Sequence, residues 1–202
     1  ERKGYYYYFK RFANQDQPVF YRKKGQNGTE EPLLDPNVMS ADKTLSVQIL
    51  DISKDGSHIA YGIQRGGEDE VEVHFMRTVD QKPLKEILPR ARYFGGVAFT
   101  ADNKSVYYGR QEEAGPRIRF HAFGTDTKDD PLVFGEKYTS GQGVGMGISE
   151  DGKYLEMTFY FGSAATKTDV YVKDLTVPDS EVVPIVNDIE ARFSAHIIED
   201  AL

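Results

Sequence analysis

Apolar residues in this chain fall in short alternating runs cut by Gly, Asp, Asn and Pro. Between residues 47 and 88 four such runs cover 47–52, 58–63, 71–76 and 84–88. They are separated by Asp55–Gly56, by Gly66–Gly67 and by a turn near Asp80. Short apolar and aromatic runs bounded by turn residues predict strands. Asp-Gly between two runs predicts a hairpin, because a primed turn needs positive φ. The stretch 52–88 therefore reads as a four-stranded antiparallel meander. No long stretch keeps a 3.6-residue apolar period; the spacings at 84–90 and 186–191 would allow one helical turn each, and strand and loop are expected there.

The same layout returns along the chain. Turn pairs fall at Asp55–Gly56, Asp102–Asn103 and Asp151–Gly152, spaced by 47 and 49 residues. Apolar strands precede each pair at 47–52, 97–99 and 144–148. Aliphatic–aromatic strands follow at 58–63, 105–108 and 154–161. Third strands are expected at 71–76, 118–122 and 169–173, and short fourth strands at 84–88, 132–134 and 182–186. The opening, 4–35, supplies only the last three strands of this unit, at 5–9, 19–22 and 31–34. Residues 192–198 read as the first strand of another unit.

A period near 47 residues with four strands per unit is the signature of β-propeller blades. One meander has two faces and cannot bury both; stacked blades cover face with face and leave only short edges. The expected fold class is all-β: a partial β-propeller of four-stranded antiparallel blades, about four blades plus the start of a fifth. A single domain over 1–202 is expected, with blades at about 4–35, 46–88, 95–135 and 143–186 and a new blade starting at 190–202. An incomplete ring would leave apolar blade faces uncovered, so the isolated chain is expected to be marginal, to self-associate or to depend on the missing remainder.

Composition agrees with a β-rich core: 12 Phe and 13 Tyr supply its aromatics, and 19 Gly and nine Pro fit many turns. The formal net charge of -7 argues against nucleic acid as a partner, since phosphate binding needs a basic patch. The clusters Arg22–Lys23–Lys24 and Arg90–Arg92 read as solvated faces. No Cys is present, which removes disulfides, thiol nucleophiles and Cys-bearing zinc sites and fits a cytoplasmic or periplasmic location, of which the cytoplasm is expected. No run approaches the length of a membrane helix. No leader is visible at Glu1–Arg2–Lys3–Gly4, and an opening at a strand without Met suggests a piece of a longer protein.

Catalytic motifs are missing. No G-x-S-x-G elbow occurs, and no H-E-x-x-H. His58, His74, His121 and His196 are scattered and read as structural or surface residues. The glycines at 141, 143, 145 and 147 are not a phosphate loop, since they lead into a strand rather than a helix; they are expected to let an inner strand approach its neighbours closely. Glu68–Asp69–Glu70 lacks the spacing of a calcium loop and reads as a hairpin tip. No catalytic residue, metal site or cofactor is expected within the chain.

An ordered set of runs resembles the propeller of the prolyl oligopeptidase family of serine peptidases. It comprises Asp35–Pro36–Asn37, Ile52–Ser53–Lys54–Asp55–Gly56, Ile59–Ala60–Tyr61–Gly62, Val73–His74–Phe75–Met76, Ile87–Leu88, Tyr93–Phe94 and Ala98–Phe99–Thr100. His121–Ala122–Phe123–Gly124–Thr125 and the run from Ile148 through Ser149, Asp151 and Gly152 to Leu155 complete it. The resemblance implies a seven-bladed propeller, here rather more than half of it, set as a lid over an α/β-hydrolase domain of the same parent chain. It implies short proline-containing peptides as substrates; on charge and run length, neither nucleic acid nor membrane is expected as partner. It also implies substrate-lining roles for Asp69 and Phe94. The basic substrate-contacting residue that the family often carries in the second-to-third strand connection has no match at 160–163. The alternative is a stand-alone propeller acting as a protein-interaction module, weakened in its WD-repeat form by the absence of Trp. An axial-site glycosidase or lactonase is disfavoured because the inner strands offer Asp51 and few other acids.

Overall fold

The structure is a computed structural model and describes residues 1–92 and 94–197. It is all-β. The first sheet has three strands, β1 (Tyr5–Lys10), β2 (Val19–Lys24) and β3 (Glu31–Leu34), in that order. The second follows as β4 (Ser46–Ile52), β5 (His58–Gln64), β6 (Val71–Arg77) and β7 (Pro83–Ala91). The third contains β8 (Phe94–Phe99), β9 (Ser105–Glu112), β10 (Gly115–Ala122) and β11 (Leu132–Phe134). The fourth contains β12 (Gln142–Ile148), β13 (Tyr154–Phe161), β14 (Thr168–Asp174) and β15 (Val182–Val186). Every strand pairs with its chain neighbours, so each sheet is a meander. The chain forms two compact units, Glu1–Arg90 and Ala91–Leu202.

The three phased turns share one construction. Gly56 N–H donates to Ser53 O (2.8 Å), Asn103 N–H to Thr100 O (3.0 Å) and Gly152 N–H to Ser149 O (2.9 Å). The next rung closes through Ser53 N–H to His58 O, Thr100 N–H to Ser105 O and Ser149 N–H to Tyr154 O. Only the last residue of each turn has positive φ: Gly56 at 72°, Asn103 at 57° and Gly152 at 81°. These are therefore four-residue loops with a single left-handed residue, not the primed two-residue turns expected from Asp-Gly. The reason lies in the Asp. Its carboxylate accepts the hydroxyl of the residue two before it (2.7, 2.7 and 2.6 Å) and the backbone N–H two after it (2.9, 3.1 and 3.1 Å). This Asx-type bonding holds a wider loop. The hydroxyl of Ser149 and the backbone N–H of Lys153 hold the Asp151 carboxyl down at about 2.

Outer strands carry a second repeated device. Phe20 faces Leu34 but Tyr21 faces Pro32; Ile118 faces Phe134 but Arg119 faces Leu132; Val170 faces Val186 but Tyr171 faces Pro184. These three outer strands, β3, β11 and β15, thus bulge by one residue at the same point. Pro32 and Pro184 lie on these edges, Pro131 just before one, and Pro83 and Pro89 on β7. A proline on an edge removes a donor and blocks pairing with another chain.

In the first unit, Phe20, Leu33 and Leu34 of the first sheet pack with Leu45, Ile59, Tyr61, Ile63 and Met76. Burying each large side chain stabilises the fold by roughly 2 kcal/mol. Between β3 and β4 lies a one-turn helix, α1 (Pro36–Met39), capped by the Asp35 carboxylate on Asn37 N–H (2.9 Å) with Pro36 at the first helical position. Asn37 Oδ1 accepts the N–H groups of Asp16 (3.1 Å) and Gln17 (2.9 Å), tying this corner to the β1–β2 loop. No helix was expected here; the stretch 84–90, where one turn was conceivable, is strand.

In the second unit, Ile118 and Tyr138 pack with Val144, Leu155, Met157, Phe159 and Tyr171. Tyr138 stacks on Phe159 with ring centroids 3.9 Å apart and planes 9° apart. The inner strands β8 and β12 come closest. A Cβ on Gly95 would sit 1.9 Å from Val144 O, and one on Gly96 would sit 2.3 Å from Met146 O. Close approach was expected of the alternating glycines of β12. Instead a Cβ on Gly145 would meet the Tyr160 ring at 3.1 Å and one on Gly141 or Gly147 would meet nothing, because β12 turns Val144 and Met146 toward β8. Beyond β15, residues 192–197 form no strand; Thr168 Oγ1 takes Phe193 N–H (2.7 Å), and Glu156 takes Ile197 N–H (2.7 Å). The last residue of the strand expected over 192–198 lies outside the described residues.

Gly95→Ala should destabilise the chain by about 1–3 kcal/mol or more in denaturant unfolding, since the blocking atom is backbone; Gly147→Ala should be neutral or slightly stabilising. The Asp151 carboxyl titrates lower folded than unfolded, where it sits near 3.8. Its stabilisation is complete above that value and is lost as pH falls toward about 2. The stability gap between the native chain and Asp151→Ala should therefore be constant above about pH 5 and narrow on acidification through this window.

Candidate functional site

Asp69 lies at the exposed tip of the β5–β6 hairpin. Gly66 and Gly67 take φ of 57° and 76° to make the bend, and Gly66 N–H donates to Thr44 O at 3.2 Å. The neighbouring acids are not simply solvated. Arg90, near the end of β7, pairs with Glu68 and reaches Glu70 at 3.7 Å. The Arg90 side chain is 42% exposed, so the pair adds under about 1 kcal/mol, yet it holds the tip against the outer strand of its own sheet. Arg90 had been read as part of a solvated face.

Phe94 opens β8 in the other unit, half-buried and opposite Arg110 on β9. A bulge between Phe94 and Gly96, where φ is 142°, sets its direction. Its ring lies 6.3 Å from that of Tyr108. Tyr108 is fully buried and donates to Asp130 (2.8 Å); burial and that carboxylate push its hydroxyl well above the usual tyrosine range. Next to it Arg119 grips Glu112 with two bonds, 2.6 and 3.0 Å, and Arg110 Nε adds a third at 3.1 Å. Glu112 is held ionised, first by the bond from Arg119. Asp69 thus belongs to Glu1–Arg90 and Phe94 to Ala91–Leu202.

A polar cleft of about 390 Å³ in the second unit was not foreseen. Tyr138, Asp169, Asn187 and Asp188 line it, with Lys137 and Phe161. Tyr138 donates to the buried Asp169 carboxylate (2.8 Å), whose other oxygen accepts Asp188 N–H (2.9 Å). Burial, then bonding to Tyr171 and Asp169, drive the Tyr138 hydroxyl far up its scale. The connection 162–167 between β13 and β14 carries Lys167 at its end. Lys167 stands 4.9 Å over the Phe161 ring and bonds Asp188 (2.6 Å) and Glu190 (3.0 Å), which raise its pKa. Lys167 lies outside 160–163, where no basic residue stands. The cleft itself had no local signal, because its walls come from three distant segments.

The histidines and the one Ser–Asp–His contact among the described residues serve local structure. Ser57 Oγ lies 2.7 Å from both Asp55 Oδ1 and His58 Nδ1, but all three sit within one turn and serve it. His74 lies 2.6 Å from Glu72, His121 is buried against Asp130 (2.8 Å), and His196 is 3.9 Å from Glu156. Among the described residues no three His, Asp or Glu side chains converge as metal ligands, and no helix is long and apolar enough to cross a membrane.

Comparison with known proteins places this architecture. Residues 1–201 match the family model for the prolyl oligopeptidase N-terminal β-propeller domain. Prolyl endopeptidases of Elizabethkingia meningoseptica and Elizabethkingia miricola are 28% and 29% identical over 96% and 95% of this chain. The chain spans only 28% of the length of either. A solved structure from work on two prolyl endopeptidases, and on the role of inter-domain dynamics in their catalysis and specificity, matches 99% of this chain and 30% of its own, with a TM-score of 0.88 at 25% identity. Prolyl oligopeptidase B from Galerina marginata, bound to a 35mer hydrolysis and macrocyclization substrate, shares the fold over 92% of this chain and 29% of its own, with a TM-score of 0.74 at 24% identity. The meander sheets are propeller blades, as their repeat predicted, and the chain belongs to the prolyl oligopeptidase family, in which it corresponds to the N-terminal β-propeller domain.

Proposed function

We propose that this chain is the lid of a longer serine peptidase that cleaves short proline-containing peptides. The observation that carries this reading is the family match over residues 1–201, in a chain with no nucleophile elbow of its own. The bond-breaking groups would stand on an α/β-hydrolase domain of the same polypeptide. Residues 1–202 would form one partial propeller domain whose task is exclusion: it admits short extended peptides, turns away folded proteins and keeps water from the reacting groups.

Asp69 and Phe94 are the proposed substrate-lining residues. An exposed carboxylate on a hairpin tip can meet a peptide's positive groups, and a half-buried aromatic ring can take an apolar side chain. The stand-alone interaction module is not favoured, since the family matched is that of the peptidase propeller.

The test uses the longer protein. It should hydrolyse a proline-containing chromogenic peptide, and residues 1–202 alone should not. Asp69→Ala and Phe94→Ala in the longer protein should raise KM for an extended peptide roughly three- to tenfold, about 1 kcal/mol, with kcat nearly unchanged. A longer protein without an encoded active-site serine would overturn the proposal. Variants with unaltered KM would remove these two residues from it.

A further inference from the structure

Three pairs in the chain place an Asn or Asp before glycine: Asn27–Gly28, Asp55–Gly56 and Asp151–Gly152. Glycine lacks the side chain that would hinder attack of its own backbone nitrogen on the preceding side-chain carbonyl. That attack closes a succinimide ring. It requires the glycine N–H to be free and the Asn or Asp side chain to rotate freely.

At two of the pairs the fold denies both conditions. Asp55 Oδ1 is held by the hydroxyls of Ser53 and Ser57 and the N–H of Ser57, at 2.7, 2.7 and 2.9 Å, while Gly56 N–H donates to Ser53 O at 2.8 Å. Asp151 is held by Ser149 Oγ (2.6 Å) and Lys153 N–H (3.1 Å), while Gly152 N–H donates to Ser149 O (2.9 Å). Asp151 is also kept ionised down to about 2, and a carboxylate is a poor electrophile.

Asn27 is the opposite case. It is exposed in the β2–β3 loop, its side-chain amide makes no hydrogen bond among the described residues, and Gly28 N–H, which closes the turn over 25–27, makes no short, well-aligned bond of the kind that holds Gly56 and Gly152. We propose that Asn27 is a deamidation site, the one reactive member of the three pairs. Gly28 N loses its proton and bonds to Asn27 Cγ, and the amide nitrogen leaves as ammonia. Water then opens the ring at either carbonyl, leaving aspartate or isoaspartate at position 27.

Both products bear on the first sheet. Aspartate adds a negative charge three residues before Glu30, which accepts Tyr8 Oη and Lys10 Nζ, each at 2.7 Å. Isoaspartate adds a backbone carbon next to Gly28, where the chain passes close enough to Lys24 O that a Cβ would lie 2.1 Å from it. The added carbon pulls on the Arg22–Glu31 rung and so on β3, whose Leu33 and Leu34 are in the core.

Peptide mapping of the folded chain held at mildly alkaline pH tests this. The peptide containing Asn27 should gain about 1 Da and score positive for isoaspartate. Asn27→Gln should abolish the gain, and the peptides containing Asp55 and Asp151 should remain free of isoaspartate. Amide exchange across Glu31–Leu34 should quicken in the isoaspartate form and not in Asn27→Asp. If the Asn27 peptide keeps its mass in the folded chain while a synthetic peptide spanning 24–30 deamidates, the loop protects it and the proposal fails. Isoaspartate forming at Asp55 or Asp151 as fast as at Asn27 would overturn the contrast on which it rests.

Discussion

Where β8 meets β12, the carbonyls of Val144 and Met146 occupy the space that any side chain at positions 95 and 96 would need. This contact shows the constraint under which the chain folds. A meander pairs the backbone groups between its strands but leaves two apolar faces, and no sheet can cover its own. Each sheet must find another, face to face, and along the inner strands the backbones approach until only glycine fits. The buried cluster around Ile118, Leu155, Met157 and Phe159 follows from that approach, as does the stacking of Tyr138 on Phe159. In the first unit the same requirement is met by larger side chains, with Leu33, Leu34 and Phe20 against Ile59, Tyr61 and Met76.

Face-to-face packing frees the sheet edges and hairpin ends for other work. Bulges and prolines on the outer strands keep edges from recruiting foreign strands. The hairpin ends carry the variable chemistry: the Arg90-braced acidic tip around Asp69 in one unit, and the Lys167–Asp188–Glu190 knot beside a polar cleft in the other. A rigid scaffold with chemically distinct loop ends suits the gating role proposed for a peptidase lid.

Much of the fold was legible because its signals are local and repeated. The pairs Asp55–Gly56, Asp102–Asn103 and Asp151–Gly152 set the phase, and short apolar and aromatic runs between them mark the strands. The three-stranded first sheet followed from the same template. Less legible was what depends on the third dimension. Asp35–Pro36 carries a cap and a first-turn proline, yet four helical residues leave no periodicity to read. The glycines of β12 stood out by number, whereas Gly95 and Gly96 meet the neighbouring backbone, and only the facing of the strands tells them apart. The residues around Tyr138 and Asp169 come together across 31 residues of sequence. For Asp69 and Phe94 the structure supplies surroundings, and the roles proposed for them rest on family resemblance.

Native-state hydrogen exchange across the second unit tests the central claim most directly. If packing of β8 on β12 holds the two sheets as one, the amides of Phe94–Phe99 and Gln142–Ile148 should open with the same free energy and merge into one denaturant-dependent transition. Exchange of the β8–β11 sheet through an opening that leaves β12–β15 fully protected would contradict it.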